Sequence, residues 1–382
     1  MPGMADSRTR APGSVVVTGI GVTSAFGRGT EPLLAAALSG RPAFGQARRF
    51  SVERRRAKAA AELAGAPVLA GELAVVIDAA CDMAGLRDAE RGSATLLLAL
   101  HTDAAAAREA GASSVTGNAA VAVAERTGLP QAPRVYATAC VAASTAIADA
   151  AVMIESGRAD RVVVAAGYLV DEDSFALFDG GRVLARDGQV RPFSSGRQGL
   201  LLGDGVAAVV LESAAVARRR SVDPLVWLAG WGRAGDAYHV CQPCPDGSGL
   251  GRAIGAALRR ARVDPADIGY VNANGSGTSY ADSSEAAALR RSLGPHAGEV
   301  PVSSTKSVHG HALEASALLE FVLTVLVVRA GCLPVNAGFL APDEECRLNL
   351  VLGSPRETRC DYALSLNAAF GGASTALLVA AA

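Results

Sequence analysis

Short β-branched apolar runs alternate along this chain with longer stretches in which apolar residues recur at helical spacing. Residues 14–20, SVVVTGI, form an apolar run ending in glycine, the pattern of a strand buried on both faces. Residues 31–39 suit a short helix closed by Gly40. The stretch 46–60, QARRFSVERRRAKAA, is basic and expected at the surface. Ala, Leu and Ile positions over 73–85 predict a helix, as does most of 91–110. Residues 133–139, PRVYATA, predict a strand that runs into Cys140. Residues 141–156 then predict a helix terminated by Gly157, and 161–166 and 205–212 predict further buried strands. Strand, helix and strand in that order point to an α/β layer structure with parallel pairing.

A charged break with Ser and Pro falls at 214–224. A second α/β unit follows, with helix 249–262, strand 268–273, helices 281–292 and 311–330, and strand 361–367. The expectation is two intimately packed halves, 1–218 and 219–382. A length of 382 residues, beyond the reach of one hydrophobic core, agrees with that division. Half of the residues are hydrophobic and 19% charged, which excludes general disorder. Aromatics make up only 4%, so small residues must fill much of the core.

The charge balance, 36 basic against 37 acidic groups, suggests no nucleic-acid surface. No apolar run reaches the roughly 20 residues of a membrane span. The opening MPGMADSRTRAPG lacks the apolar core of a secretory signal, so a cytoplasmic location is expected. Seven scattered cysteines do not read as a disulfide framework. Cys241-Gln-Pro-Cys244 has the spacing of a metal or redox pair, but no second such pair or close His/Cys set completes a site. A structural loop is the expectation there, and no metal or cofactor is assigned.

Four stretches carry candidate chemistry. Cys140 lies between a strand-like run and a helix, where helix-end N–H groups favour a thiolate. A buried cysteine there also serves simply as a small apolar residue. Residues 270–285, YVNANGSGTSYADSSE, gather amide, hydroxyl and carboxylate groups at a strand's carboxyl end. Asp282 and Glu285 in that stretch also fit a helix cap and its closing box. Residues 302–320, VSSTKSVHGHALEASALLE, hold Lys306, His309 and His311. Histidine is the usual proton carrier near neutrality, and two histidines two apart do not share a helix face. Residues 366–378, LNAAFGGASTALL, place a glycine turn after a strand, allowing a backbone N–H to approach a ligand oxygen.

In this order the stretches resemble the beta-ketoacyl synthases, condensing enzymes of fatty-acid and polyketide assembly. The resemblance begins at VVVTGIGVTSAFGRGTEPLLAAALSG, residues 15–40, and takes in TACVAASTAIADA around Cys140 and RPFSSGRQGLLLGDGVAAVVLE at 191–212. It implies a thiolase-like layered α-β-α-β-α fold, built from two halves. It implies that Cys140 takes an acyl group from an acyl carrier protein, with the N–H groups of Cys140 and Phe370 as oxyanion hole and the Phe370 ring as gate. His311 matches the histidine that supports malonyl decarboxylation. Lys306 matches the motif lysine, with Glu320 as its charge partner, and Thr278 and Glu285 are supporting residues. His309 has no family role, and the stretch 236–249 places Cys241 and Cys244 outside the functional positions.

The chain departs from the pattern in four places, one of them the Ala-rich segment before the Phe370 turn, where the family has Ser-Phe-Gly. Asn274 stands where the family has its first active-site histidine; an amide donates a hydrogen bond but carries no proton in transfer. Glu314 stands where the family has glycine. The region 86–130 is shorter than usual, which bears on the dimer and the acyl pocket. The resemblance implies decarboxylative condensation by a homodimer, or by a heterodimer with a second ketosynthase-like chain. Acyl transfer without decarboxylation and a chain-length-shaping partner subunit are the alternatives. The arginines Arg48, Arg49, Arg54, Arg55 and Arg56 are a candidate docking surface for an acidic carrier.

Overall fold

The computed structural model describes residues 15–100 and 115–382. At its centre is a twelve-stranded mixed sheet, whose twelfth strand is the two-residue Gly27–Arg28 paired with the end of the first. The first half contributes β1 (Val15–Ser24), β2 (Thr95–Leu100), β3 (Arg134–Tyr136), β4 (Arg161–Tyr168) and β5 (Gly205–Ser213). The second contributes β6 (Val226–Gly235), β7 (Tyr270–Asn272), β8 (Pro301–Ser303), the short β9 (Asn349–Leu350), β10 (Tyr362–Ala368) and β11 (Ala373–Ala381). Across the sheet the order is β9-β8-β7-β10-β11-β6-β1-β5-β4-β2-β3. Each half therefore winds its strands in the same order, and β1 and β6 join the halves by pairing antiparallel.

Pairing is parallel only in the outer parts, β4–β2–β3 and β10–β7–β8–β9. The inner strands β4, β5, β1, β6, β11 and β10 run antiparallel to their neighbours there. This corrects the expectation of parallel pairing throughout. The connection over residues 169–204 returns to the sheet end it left, so β5 comes back against β4.

The principal helices are α1 (Leu69–Met83), α2 (Val115–Thr127), α3 (Ala142–Glu155), α4 (Ser248–Ala261), α5 (Ser279–Leu293) and α6 (Ser316–Ala330). Helices α3 and α6 pack on each other and on strands of both halves, while α1 with α2 and α4 with α5 cover the outer faces. The result is the layered α-β-α-β-α arrangement. In α6 every residue from Ser316 to Val325 is buried, which suits a helix that is apolar nearly all round.

Small residues allow close contact between layers. A Cβ on Gly19 or Gly21 of β1 would lie 2.0 or 2.1 Å from the carbonyl oxygen of Ala80 or Val76 in α1. At the equivalent place in the second half, a Cβ on Gly230 or Gly232 of β6 would lie 2.3 or 1.9 Å from that of Ala257 or Ala253 in α4. Neither helix can sit so close to its strand over any larger residue.

Three further expectations differ from what is observed. The 91–110 helix is instead a strand over Thr95–Leu100, buried from Leu96 onward; residues 101–110 lie outside the described residues, as do part of 86–130 and the opening of the chain. The 311–330 helix begins only at Ser316, as α6; a tight turn at Leu313–Ala315 precedes it, and a separate single turn at Lys306–His309 lies before the expected range. Gly310 at φ 79° separates the two turns, and Leu313 at φ 43° interrupts the expected helix. The basic stretch 46–60 is only partly exposed: Ala47, Val52 and Ala57 are buried, and Arg49 pairs with buried Asp204. Among the described residues no helix is long and apolar enough to cross a membrane.

Candidate active site

β3 ends at Tyr136, and the chain turns sharply through Ala139–Val141 before α3 begins. Ala139 takes the left-handed conformation at φ 52°, uncommon for a residue with a Cβ. The turn sets Cys140 against the start of α3 with only 6% of its surface exposed. Burial, and next the charge of Glu314, push its thiol up to about 12, while Lys306 acts in the opposite direction. Both effects act against the thiolate that the helix end alone would favour at this candidate nucleophile.

Lys306 is the hub of the polar network. Its Nζ lies 2.5 Å from Glu320 Oε1 and donates to the backbone oxygen of Asn274 at 2.9 Å and to its side-chain Oδ1 at 3.1 Å. Asn274 Oδ1 also accepts from the Ala368 N–H at 3.3 Å. With the amide oxygen held by two donors, Asn274 Nδ2 has no partner among the described residues and is left to the cleft that Asn274 lines. Glu320 Oε2 accepts from Asn367 Nδ2 at 2.5 Å, which ties α6 to the end of β10.

His311 is fixed from both sides of its own backbone. Its N–H donates to Leu201 O at 2.7 Å and its carbonyl accepts from Gly203 N–H at 3.0 Å. The glycine-rich segment before β5 therefore holds the histidine in place, and a Cβ on Gly203 would lie 2.1 Å from His309 O. The Leu313 N–H donates to His311 Nδ1 at 3.0 Å. An accepting Nδ1 puts the proton of the neutral ring on Nε2, so the ring offers a donor to the cleft. Burial, then Lys306, keep this imidazole well below its ordinary pKa. His309 points elsewhere: its Nε2 lies 3.1 Å from Thr305 Oγ1, and burial lowers its pKa to about 3.

The loop that carries Asn274 is clamped by two buried carboxylates. Glu285 accepts the N–H groups of Asn274 and Gly275, each at 2.8 Å. Asp282 accepts the N–H groups of Phe193 at 2.8 Å and Gly277 at 3.1 Å. The helix-cap reading of this pair is corrected: the N-cap of α5 is Thr278, which makes no side-chain cap bond. Thr278 Oγ1 instead lies 3.0 Å from Ser276 Oγ on the cleft wall. Burial raises Asp282 to about 6 and Glu285 to about 7, against the lowering effect of the N–H groups they accept.

Cys140, Asn274, Thr278, His311 and Phe370 line one cleft of about 410 Å³. Lys306, Glu320 and Glu285 stand behind it as support. Phe370 follows β10 on a turn made by Gly371 at φ 91° and Gly372 at φ 81°. Its ring packs on Phe178 at 6.1 Å between centroids and is partly exposed at the mouth. Sequence reasoning did not single out Arg182, Gln198 or Tyr280, which also line the cleft. Gln198 and Tyr280 lie within the stretches 191–212 and 270–285, but only folding turns them, with Arg182, onto one cleft. Cys241 also lines the cleft, while the Cys244 thiol donates to Asp246 Oδ1 at 3.0 Å. Among the described residues no group of His, Cys, Asp and Glu is arranged to hold a metal ion.

Comparison with known proteins agrees with this geometry. Residues 115–217 match the model of the beta-ketoacyl synthase N-terminal domain, and residues 225–340 that of the beta-ketoacyl synthase C-terminal domain. The chain is 38% identical over 252 residues to the tetracenomycin polyketide synthase ketoacyl synthase alpha subunit of Streptomyces glaucescens, covering 64% of this chain and 59% of that protein. It spans about three fifths of the length of the curated relatives it matches. Among solved structures it is similar to the ishigamide ketosynthase/chain length factor, with a TM-score of 0.89 and 27% identity over 97% of this chain and 100% of that one. A type II polyketide synthase acyl-carrier protein in complex with its ketosynthase bound to the hexaketide gives a TM-score of 0.89 at 25% identity, over 97% of this chain and 100% of that chain. Two domain models in the order of the two halves, a fold shared along almost the whole chain, and a cysteine and histidine meeting in one cleft have a common explanation: this chain is a member of the beta-ketoacyl synthase family, within the thiolase-like superfamily.

Proposed function

We propose that this chain condenses an acyl group held on Cys140 with a malonyl-type thioester, both delivered by an acyl carrier protein, in fatty-acid or type II polyketide biosynthesis. Cys140 attacks the acyl thioester, the carrier thiol leaves with a proton, and the acyl-enzyme remains. The N–H groups of Cys140 and Phe370 stabilise the tetrahedral oxyanion. The malonyl-type thioester then loses carbon dioxide, and its carbanion attacks the acyl-cysteine to give a 3-oxoacyl carrier thioester. The cysteine and the carrier arm hold every intermediate, so the proposal includes no metal or organic cofactor.

The observation that carries this reading is the pair of donors facing the cleft. Asn274 Nδ2 is freed by the anchoring of Oδ1, and His311 Nε2–H by the bond at Nδ1. Two donors on one cavity wall suit the thioester oxygen that becomes an enolate when carbon dioxide leaves. That step needs charge stabilisation rather than a proton carrier, so an amide in place of an imidazole is compatible with it. The carrier-protein partner, in a homodimer or in a heterodimer with a second ketosynthase-like chain, finds support in the complex of a related ketosynthase with its carrier.

A second reading keeps the acyl-cysteine but passes the acyl group to another nucleophile without decarboxylation. It is favoured by one observation, the absence of an ionisable group at Asn274. Intact-mass analysis of carrier-bound species after incubation with acyl and malonyl donors separates the two. Condensation gives a carrier mass carrying the joined 3-oxoacyl chain. An acylated Cys140 with malonyl-carrier left intact across a range of donors overturns condensation in favour of acyl transfer. Undiminished acylation of Cys140→Ala overturns both.

A further inference from the structure

His311 Nδ1 has a second polar neighbour besides the Leu313 N–H: the Ser316 hydroxyl, at 3.3 Å. Ser316 is the first residue of α6 and is fully buried. Its Oγ accepts the Ala312 N–H at 2.8 Å. Four groups thus meet at one point, and two of them are backbone donors whose protons cannot be moved. Ala312 donates to Ser316 Oγ, so the hydroxyl's own proton has to point elsewhere. Leu313 donates to Nδ1, so Nδ1 carries no proton and stays an acceptor. Among the described residues Nδ1 is the one acceptor within hydrogen-bond distance of the hydroxyl. One arrangement of protons satisfies all four groups: Ser316 donates to Nδ1, and the imidazole proton sits on Nε2.

We propose that Ser316 is a positioning residue, which acts through Nδ1 to hold His311 as the Nε2–H tautomer with that N–H turned to the cleft. The inference rests on the reading of His311 as a donor to the thioester oxygen. The ring is neutral, because burial and Lys306 keep it well below its ordinary pKa, so the tautomer rather than the charge decides what it offers. The Leu313 N–H alone leaves the ring able to tilt about a single bond. A second donor, from a different element, fixes that tilt. The same helix face serves the other cleft donor. Glu320 lies four residues further on, hence on the same side of α6, and pairs with Lys306. Lys306 in turn holds the Asn274 oxygen whose anchoring turns Nδ2 to the cleft. Successive turns of one helix therefore set both donors, one through Ser316 and one through Glu320.

The test reads the tautomer directly by nitrogen NMR and needs neither carrier nor substrate. The chain is labelled with imidazole-¹⁵N histidine, and His311 is picked out among the five histidines as the signal lost in His311→Gln. At neutral pH the unsubstituted protein is expected to show a bare, hydrogen-bonded Nδ1 and a protonated Nε2. A proton on Nδ1 overturns the proposal. In Ser316→Ala the two signals are expected to shift toward those of a mixture of tautomers, and Ser316→Thr, which keeps the hydroxyl, to show the parent pattern. A threonine chain that behaves like the alanine one counts against the proposal. Ser316→Cys keeps the volume with a much weaker donor, and is expected to read as alanine does should the alanine chain not fold. An unchanged His311 signal in folded Ser316→Ala or Ser316→Cys overturns the role. Carbon dioxide release from malonyl-carrier is expected to fall about three- to tenfold in Ser316→Ala, the worth of one neutral hydrogen bond, with acylation of Cys140 much less affected. Equal losses in both half-reactions, or a tautomer shift with decarboxylation undiminished, also overturn it. If the unsubstituted protein releases no carbon dioxide, the condensing reading fails, and the His311 signal alone decides the role of Ser316.

Discussion

Replacing Asn274 by aspartate separates the two ends of one side chain. The oxygen held by Lys306 at 3.1 Å and by the Ala368 N–H at 3.3 Å keeps its place, and only the cleft-facing nitrogen becomes oxygen. The Lys306 ammonium keeps the new carboxylate ionised, so the cleft loses a donor and gains an acceptor. Loss of one such donor costs about 10²–10³ in rate, or roughly 2.7–4 kcal/mol. Decarboxylation of malonyl-carrier and condensation should fall by at least that factor, and acylation of Cys140 much less. Asn274→Ala removes both ends. It also removes the partner of the half-buried Ala368 N–H and one bond of the buried Lys306, the latter at a cost of about 1–3 kcal/mol of stability. Asn274→His restores a donor to the cleft and should retain decarboxylation. The assay measures Cys140 acylation by intact mass, carbon dioxide release from malonyl-carrier, and melting temperature, each separately. Wild-type decarboxylation by Asn274→Asp would refute the donor role. Equal losses in both half-reactions of Asn274→Ala, tracking its melting temperature, would reduce Asn274 to a structural residue.

Two other predictions concern charge. Reversal of exposed Arg48, Arg54 and Arg56 should slow carrier-dependent acylation most at low salt, with melting temperature unchanged; rates independent of these residues would place docking elsewhere. Arg49 must be left out of that test, because Arg49→Ala leaves Asp204 buried and unpaired at a cost of about 3–5 kcal/mol, read by denaturant unfolding. His309 concerns acid stability. Its imidazole is depressed to about 3 in the fold, so the unfolded chain binds its proton first as pH falls below about 6.5. Its contribution is complete above that pH and is lost on the way down to about 3. Asp282 and Glu285, raised by burial to about 6 and 7, act the other way as the folded state takes up protons before the unfolded one. Relative to the parent protein, His309→Gln should flatten the acid-side fall by up to about 1.4 kcal/mol per pH unit between those limits. An unchanged slope would show that this histidine is not buried and neutral.

Most strands were legible because they combine β-branched runs with full burial, as in Val15–Ser24 and Gly205–Ser213. The failure at Thr95–Leu100 has the same origin. TLLLAL is leucine-rich, apolar without alternation and flanked by Ala, so periodicity cannot distinguish a buried strand from a helix. Lys306, Asn274 and His311 were identifiable as candidates, but their wiring was not. That Asn274 presents its nitrogen to the cleft depends on a backbone N–H from residue 368, and no spacing rule reaches so far. Asp282 and Glu285 fitted a local cap by spacing. Tertiary contacts instead turned them onto the Asn274 loop and the Phe193 N–H, since buried backbone donors without a partner are costlier than an uncapped helix end. The direction of the Cys140 shift was illegible for a related reason: it is set first by burial, which local sequence around the cysteine does not reveal.

The junction at β1 has a consequence for how the molecule is made. Val15 pairs with Ser213 on one side and with Leu228 on the other, so apart from the short pairing of Thr23 and Ser24 with Arg28 and Gly27 the first strand has no sheet partner until the ribosome has passed nearly all of the first half. That two-residue pairing cannot substitute, because both long neighbours of β1 are distant in sequence. Ordering so long a loop before any pairing forms makes the central part of the sheet late to fold. Meanwhile a ten-residue strand emerges with both hydrogen-bonding edges bare over most of its length, the condition under which chains pair wrongly with one another. Slower synthesis at low temperature with chaperone supply is the condition this topology favours.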